Sequence, residues 1–385
     1  MHILEFSADI LRFLDEFPAS APSDGFIWVF LERAELPLHQ TLLQEAAQRL
    51  GGSALLDLHW KDLASEQHPS NYDSTSVYDL VVFRRLATQA EVQQDFDGEA
   101  AVNPHHNHGF TPRPRKASGV PLAFSRINSR AVGFAIFDRL LVSVHPPGCL
   151  IANSYVKRFL SDAKLSIDAV GARSRLPASP ADLSLRMINS MVDSYLDLRK
   201  DLTAYLEQTQ ADLIRPGSRF TNWEALMEAR RQLHLLENLC EEQHDAMQEW
   251  LDTVRELPLS NFSPDVATAQ AQRDQLVARA RDVMEHIDRV MHHARRLEQS
   301  AETVVQIHFS AQGHRTNDIM RTLTAVTAVF LPLNLMTGFF GMNFDHLPWI
   351  HSTGAMWVVF GLMAAVALGV ITIFLRKRYI SRTGR

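Results

Sequence analysis

Two long runs near the C-terminus contain no Asp, Glu, Lys or Arg, one from Thr322 to Phe344 and the other from His346 to Leu375. Each is longer than the roughly 20 residues an α-helix needs to cross a hydrocarbon core about 30 Å thick. Core helices of soluble proteins are rarely free of charge for so long, so the pair predicts two transmembrane helices. The remainder reads differently. Charged residues make up 21% of the 385, as in a soluble body joined to a small membrane part, and the length suggests two or three units.

The loops give an orientation. The tail RKRYISRTGR after the second run holds five basic and no acidic residues, whereas the connector between the runs holds Asp345 and no Lys or Arg. The positive-inside rule puts the tail, and with it the large N-terminal part, on the cytoplasmic side. The net charge of −6 minus the tail's +5 leaves −11 for the rest, enough to attract cations. The N-terminal MHILEFSADILRFLDEF has no basic n-region and carries acidic residues, so it does not read as a signal peptide. Cys149 and Cys240 form no CxxC pattern and read as small buried hydrophobes in a reducing compartment.

The first part of the chain mixes short β-rich runs, GFIWVFLE (25–32), SALLDLHW (53–60), YDLVVFRRL (78–86), AVGFAIFD (131–138) and RLLVSVH (139–145), with helical patterns at 38–50 and 153–163. That mixture predicts an α/β domain over 1–178, with a mobile insertion from Glu91 to Gly119. From Ser179 the pattern is helical. One helix, capped by Ser179 or Asp182, runs toward Pro216, and a second runs from about Thr221 to Leu257, giving a helical hairpin over 179–262. A stalk helix over 263–318 then flows into the first apolar run; a continuous helix of about 80 residues would be about 120 Å long and would need partner helices. The expected membrane part is a first span at 319–343, a connecting loop at 344–354 on the far side, a second span at 355–375 and the basic tail at 376–385.

At seven-residue spacing the first span shows two stripes: Asn317, Thr324, Leu331, Gly338 and Met320, Thr327, Asn334, Gly341. These are the two seam positions of a heptad, where parallel helices converge. Ala325, Val326, Ala328, Val329, Phe330, Leu333 and Leu335 between them are apolar. Polar residues in lipid must face protein or water. The seam therefore serves either helix packing through small and hydrogen-bonding residues or a pore lined by side-chain oxygens. A pore would require a symmetric ring of subunits, because two spans cannot enclose one.

The stretch TNDIMRTLTAVTAVFLPLNLMTGFFGMNF (316–344), ending in Gly341-Met342-Asn343 and followed by a second span and a basic tail, resembles the signature of the CorA-type divalent cation transporters. The resemblance implies a homopentameric funnel: an α/β cytoplasmic domain, a long stalk helix that becomes the pore helix, and two C-terminal transmembrane helices in all. It implies a selectivity filter of Gly341, Met342 and Asn343, with an Asn343 ring holding a hydrated cation through amide oxygens. Asn317, Thr324, Thr327, Asn334 and Gly338 would line the path, with Met320 and Leu331 as apolar constrictions. Asp345 and His346 would sit at the mouth. The transported and regulatory cation is most consistent with Mg²⁺, with no tightly bound cofactor, in the bacterial inner membrane with both termini cytoplasmic.

The chain departs from the family in two places. Phe340 stands where Tyr commonly precedes the motif. Gln306, with His308 close by, stands about three helical turns before Asn317, where magnesium members carry an acidic residue that binds regulatory Mg²⁺. Two other functions compete. His105, His106 and His108 in NPHHNHG can bind Zn²⁺, Co²⁺ or Ni²⁺, which suits a transporter of those ions, proton-coupled or not. A membrane-anchored sensor or scaffold would use the seam only for assembly. No GxxxxGK[ST], GxGxxG, HExxH or GxSxG motif points to an enzyme, and nothing points to nucleic acid.

Overall fold

The computed structural model describes residues 1–7, 10–22, 24–102, 122–166, 176–214, 223–259, 262, 265–342 and 353–376. Its strands are β1 (His2–Ser7), β2 (Ile10–Leu14), β3 (Gly25–Glu32), β4 (Asn71–Ser74), β5 (Tyr78–Arg85), β6 (Arg130–Phe137) and β7 (Leu140–His145). Its helices are α1 (Gln40–Ala46), α2 (Asp57–Ala64), α3 (Gln89–Val102), α4 (Leu122–Ser125), α5 (Leu150–Ser166), α6 (Pro180–Asp193), α7 (Tyr195–Ile214), α8 (Trp223–Glu256), α9 (Val266–Phe340) and α10 (Thr353–Arg376). A 3-10 segment, Arg33–His39, and a π segment, Ala47–Gly51, flank α1. The chain divides into two compact units, Met1–Ala301 and Glu302–Arg385.

In the first unit the strands form one sheet in the order β2-β1-β3-β7-β6-β5-β4, antiparallel throughout except where β3 runs parallel to β7. These two central strands are buried almost end to end, as expected where helices cover both faces of a sheet. On one face Ile27, Val29, Leu31, Val142 and Val144 pack with Leu36, Leu43, Trp60 and Leu63. The opposite face carries Phe6, Trp28, Phe30, Phe134 and His145, and Phe159 of α5 meets Phe6 edge-on at 5.6 Å.

Three sequence expectations need correction. SALLDLHW is not a strand: Asp57–Ala64 is helical, with Trp60 and Leu63 buried at i, i+3 and Leu58 exposed, a helix period rather than a strand period. The expected insertion begins with a helix, α3, closed by a capping box. Glu91 N donates to Thr88 Oγ1 at 3.2 Å while Thr88 N donates to Glu91 Oε2 at 2.8 Å. The single helix expected from Ser179 is two, α6 and α7, divided at Ser194. Ser179 does cap α6, its Oγ accepting from Asp182 N at 3.2 Å. Strands β1 and β2 were not foreseen; they pair antiparallel, Ser7 opposite Ile10.

One buried group makes the first unit acid-sensitive. His145 is 1% exposed and shares a 2.9 Å hydrogen bond between its Nε2 and Ser143 Oγ, which also accepts from Trp28 Nε1 at 2.9 Å. Burial, then the charges of Arg85 and Arg33, push its pKa down to about 3. The unfolded chain takes up this proton near pH 6.5, so stability is complete above about pH 6.5 and is lost as pH falls toward 3, by roughly 1.4 kcal/mol per unit. Thermal melts of His145→Gln between about pH 6 and 4 are expected to show a pH slope shallower by one proton; an unchanged slope would contradict the assignment.

The helices of the first unit are joined side by side. Along α9 from Leu276 to Ala301 the buried residues are Leu276, Ala280, Val283, Ile287, Val290, Ala294, Leu297 and Ala301, alternating four and three apart. The Thr203 hydroxyl of α7 meets His293 Nε2 at 3.0 Å, and Arg295 of α9 donates to Glu237 of α8 at 2.5 Å. Cys149 and Cys240 are buried free thiols, as the sequence suggested. Burial raises both pKa values, that of Cys149 to about 12.

The second unit holds the end of α9 and α10. Both contain a window long and apolar enough to cross a membrane, and the chain buries only 6% of one and none of the other. A core helix of a soluble protein would be mostly covered. Leu335 is 72% and Trp357 73% exposed, so this apolar surface needs lipid or further protein around it.

Candidate functional site

From Gln312 to Met342, the less exposed positions of α9 are Ala325, Ala328, Val329, Pro332, Leu333 and Met336, a single helical stripe. Asn317, Met320, Thr324, Thr327, Leu331, Asn334, Gly338 and Gly341 are all exposed. At about 100° per residue the two sets lie roughly 150° apart around the helix. The chain thus covers one side of α9 and leaves the polar seam open on the other.

The covered stripe continues a register set much earlier. Counting in sevens from Leu276 and Ala280 through Leu297 and Ala301 arrives at Ala325, Val329, Pro332 and Met336. The seam has its own register, two positions away. Extended backward from Asn317 it passes Gly313, Ser310, Gln306, Thr303 and Gln299, all exposed. No position of this register from Gln299 to Gly341 carries a charge. Arg315 and Asp318 fall in the other register, although both lie within two residues of Asn317 in sequence. The sequence reading stopped at Asn317; carrying the seven-residue count further back was the signal for the rest.

The threonines of the seam have their donors occupied. Thr324 Oγ1 donates to Met320 O at 2.7 Å and Thr327 Oγ1 to Leu323 O at 2.8 Å. Back-bonding of this kind satisfies the hydroxyl hydrogen within the helix and leaves the oxygen lone pairs outward as acceptors. Oxygen acceptors without competing donors suit a hard cation.

At the end of the seam the helix stops. Gly341 N donates to Thr337 O at 2.9 Å and Met342 N to Phe339 O at 3.4 Å in the last turn. A Cβ on Gly341 would stand 2.9 Å from Thr337 O, so glycine lets the chain close tightly there. A Cβ on Gly338 would meet nothing within 4 Å; its small size answers no need within this chain. The carbonyl end of the helix dipole lies at this point and favours positive charge. Met342 is the last described residue before the connector. Asn343, Asp345 and His346 lie outside the described residues, as do His105, His106 and His108. Gln306, one turn below Ser310, is exposed, and His308 is half-buried.

Comparison with known proteins gives the same architecture. The family description "CorA-like Mg2+ transporter protein" matches residues 116–378. The cobalt/magnesium transport protein CorA of Thermotoga maritima is 22% identical over 194 residues, covering 50% of this chain and 51% of that protein. The magnesium transport protein CorA of Haemophilus influenzae is 31% identical over 101 residues, covering 26% of this chain and 32% of that protein. These alignments span about half the curated relatives' length or less. The complete structure of the CorA magnesium transporter from Methanocaldococcus jannaschii superposes with a TM-score of 0.68 at 16% identity, covering 98% of both chains. That likeness extends the shared fold over sheet, long helix and C-terminal helix pair alike. With the family match running from before β6 to beyond the end of α10, the chain belongs to the CorA-like Mg²⁺ transporter family.

Proposed function

We propose that this chain carries Mg²⁺ across a membrane as a symmetric homo-oligomer, a pentamer, with the α9 seam of each copy facing a common axis. The observation that carries the reading is the seam itself: uncharged, oxygen-bearing and exposed on the side of α9 that its own chain leaves uncovered. Several copies brought together along this face enclose a path lined by Asn317, Thr324, Thr327 and Asn334, narrowed at Met320 and Leu331. Gly338 and Gly341 allow the helices to converge toward the Gly341-Met342-Asn343 end. Neutral oxygens suit Mg²⁺, which sheds water reluctantly and is held through its hydration shell. Thr303, Gln306, Ser310 and Gly313 continue the same lining below Asn317.

The spans at 319–343 and 355–375 cross the bilayer, with the sheet domain and the basic tail on the cytoplasmic side of a bacterial inner membrane. Asp345 and His346 then stand at the far mouth. The chain performs transport rather than catalysis and needs no resident cofactor for it. With Gln306 in a neutral lining, the seam itself offers no carboxylate at that level to bind a regulatory ion.

The test is Mg²⁺ uptake into proteoliposomes containing the full chain. Saturable uptake is expected, and Asn343→Ala is expected to lower it at least about tenfold, some 1.4 kcal/mol. Absence of flux for any divalent cation would leave a scaffold, and uptake of Zn²⁺ without Mg²⁺ would contradict the ion assignment.

A further inference from the structure

A second group of metal-ligating side chains lies in the first unit, away from the seam. His234 and Glu237 sit one turn apart on α8, and Glu298 reaches them from α9. One ligand atom from each of the three falls within 4.8 Å of the others. His234 Nδ1 and Glu237 Oε2 are 3.9 Å apart. Bonds of about 2.0–2.2 Å from a common ion would draw such atoms to roughly 3–4 Å from one another, so small side-chain rotations suffice.

The local charge leaves room for a cation. Arg295 donates to Glu237 Oε1 at 2.5 Å and also to Glu241 Oε1 at 2.6 Å, while Arg230 Nε stands 3.6 Å from Glu298 Oε1. Three carboxylates thus face two guanidiniums. The oxygen of Glu237 nearest His234 is not the one that Arg295 holds. Beside Arg295 lies a cavity of about 260 Å³ lined by Glu241, His244, Asp245 and Met291. It gives the guanidinium space to turn toward Glu241 and Asp245 when Glu237 takes up a metal. Glu237 and Glu298 are mostly covered and His234 is exposed, so an ion would be held from two sides and reached from the third.

We propose that His234, Glu237 and Glu298 form a divalent transition-metal site, best suited to Zn²⁺, that clamps α8 to α9. One imidazole with two carboxylates is a ligand set for Zn²⁺ and its first-row neighbours, whereas Mg²⁺ takes oxygen alone. The remaining positions go to water. The site stands apart from the transport reading, since it needs neither flux nor the seam.

The test is a Zn²⁺ titration of the full-length protein in detergent against a chromophoric chelator, with Mg²⁺ in excess. Wild type is expected to hold one site per chain that His234→Ala and Glu298→Gln each weaken at least about tenfold. Arg230→Gln removes a competing cation and is expected to tighten the same site about two- to fivefold. Thermal melts without metal identify any variant that fails to fold, and Arg230→Gln keeps all three ligands. Equal Zn²⁺ binding by wild type and both ligand variants, or displacement of Zn²⁺ by Mg²⁺, would overturn the proposal.

Discussion

Gly338→Val is expected to lower Mg²⁺ uptake at least about tenfold, some 1.4 kcal/mol, while leaving the melting temperature of the protein nearly unchanged. A Cβ at this position meets nothing within 4 Å in the chain, so the substitution creates no clash within one copy. Valine is also no worse than glycine in a helix interior. The isolated chain gives no reason for glycine here; a neighbouring α9 packed against the seam does, because small residues let helix backbones approach. Gly361→Val provides the control. Its Cβ also meets nothing within 4 Å, but it lies on α10, outside the seam. Little change in uptake is expected there. If Gly338→Val conducts like wild type, the seam faces lipid and the assignment fails.

Asp182→Ala is expected to cost about 3 kcal/mol of stability, lowering the melting temperature by roughly 5–10 °C. Asp182 is 2% exposed. Its Oδ2 accepts from Arg186 at 2.9 Å and from Ala178 N at 3.1 Å, and its Oδ1 lies 2.8 Å from Arg279 Nε. One carboxylate therefore neutralises two guanidiniums and ties α6, under the sheet, to α9. Its removal takes away the carboxylate that stands between the two guanidiniums, which outweighs the loss of a single hydrogen bond. Arg279 is partly open to water, which holds the loss to the lower end of the range for a buried pair. Asp182→Asn keeps the shape without the charge and is expected to recover only part of the loss. A melting temperature within a degree of wild type for the alanine variant would show the tie to be dispensable.

The parts of this protein that were legible in the sequence are those with long-range regularity. The two charge-free runs and the heptad from Asn317 to Gly341 persist or repeat over many residues, and the structure has helices at each. SALLDLHW reads as a strand because its even positions, Ala54, Leu56, Leu58 and Trp60, are all apolar while Ser53, Asp57 and His59 among the odd ones are polar, and only packing of Trp60 and Leu63 on one side distinguishes helix from strand. The Thr88–Glu91 capping box is present in the sequence as T-x-x-E, but it stands beside a segment poor in apolar residues, which masks the helix behind the pattern of a mobile insertion. β1 and β2 are stabilised by pairing with β3, a partner distant in sequence, so local pattern carries little of them. The site was legible as a stripe but not as a face. That the chain covers the Ala325–Met336 side, and continues that register from Leu276, required the burial of side chains from other elements.

The central claim is that the seam of α9 faces a water-filled cation path while its flanks face lipid. Single cysteines at Thr327, Asn334 and Val326 test it most directly, since Val326 is exposed on the flank about 120° from the seam centre, and Cys149 and Cys240 are buried with their thiols held protonated. The measurement is the rate of modification by a charged, water-soluble thiol reagent in proteoliposomes. Thr327→Cys and Asn334→Cys are expected to react at least about tenfold faster than Val326→Cys, because a thiol in hydrocarbon stays protonated and out of reach. Saturating Mg²⁺ is expected to slow the two seam positions and not the third. Equal rates at all three, or faster reaction at Val326→Cys, which replaces an exposed apolar side chain outside the seam, would contradict the account.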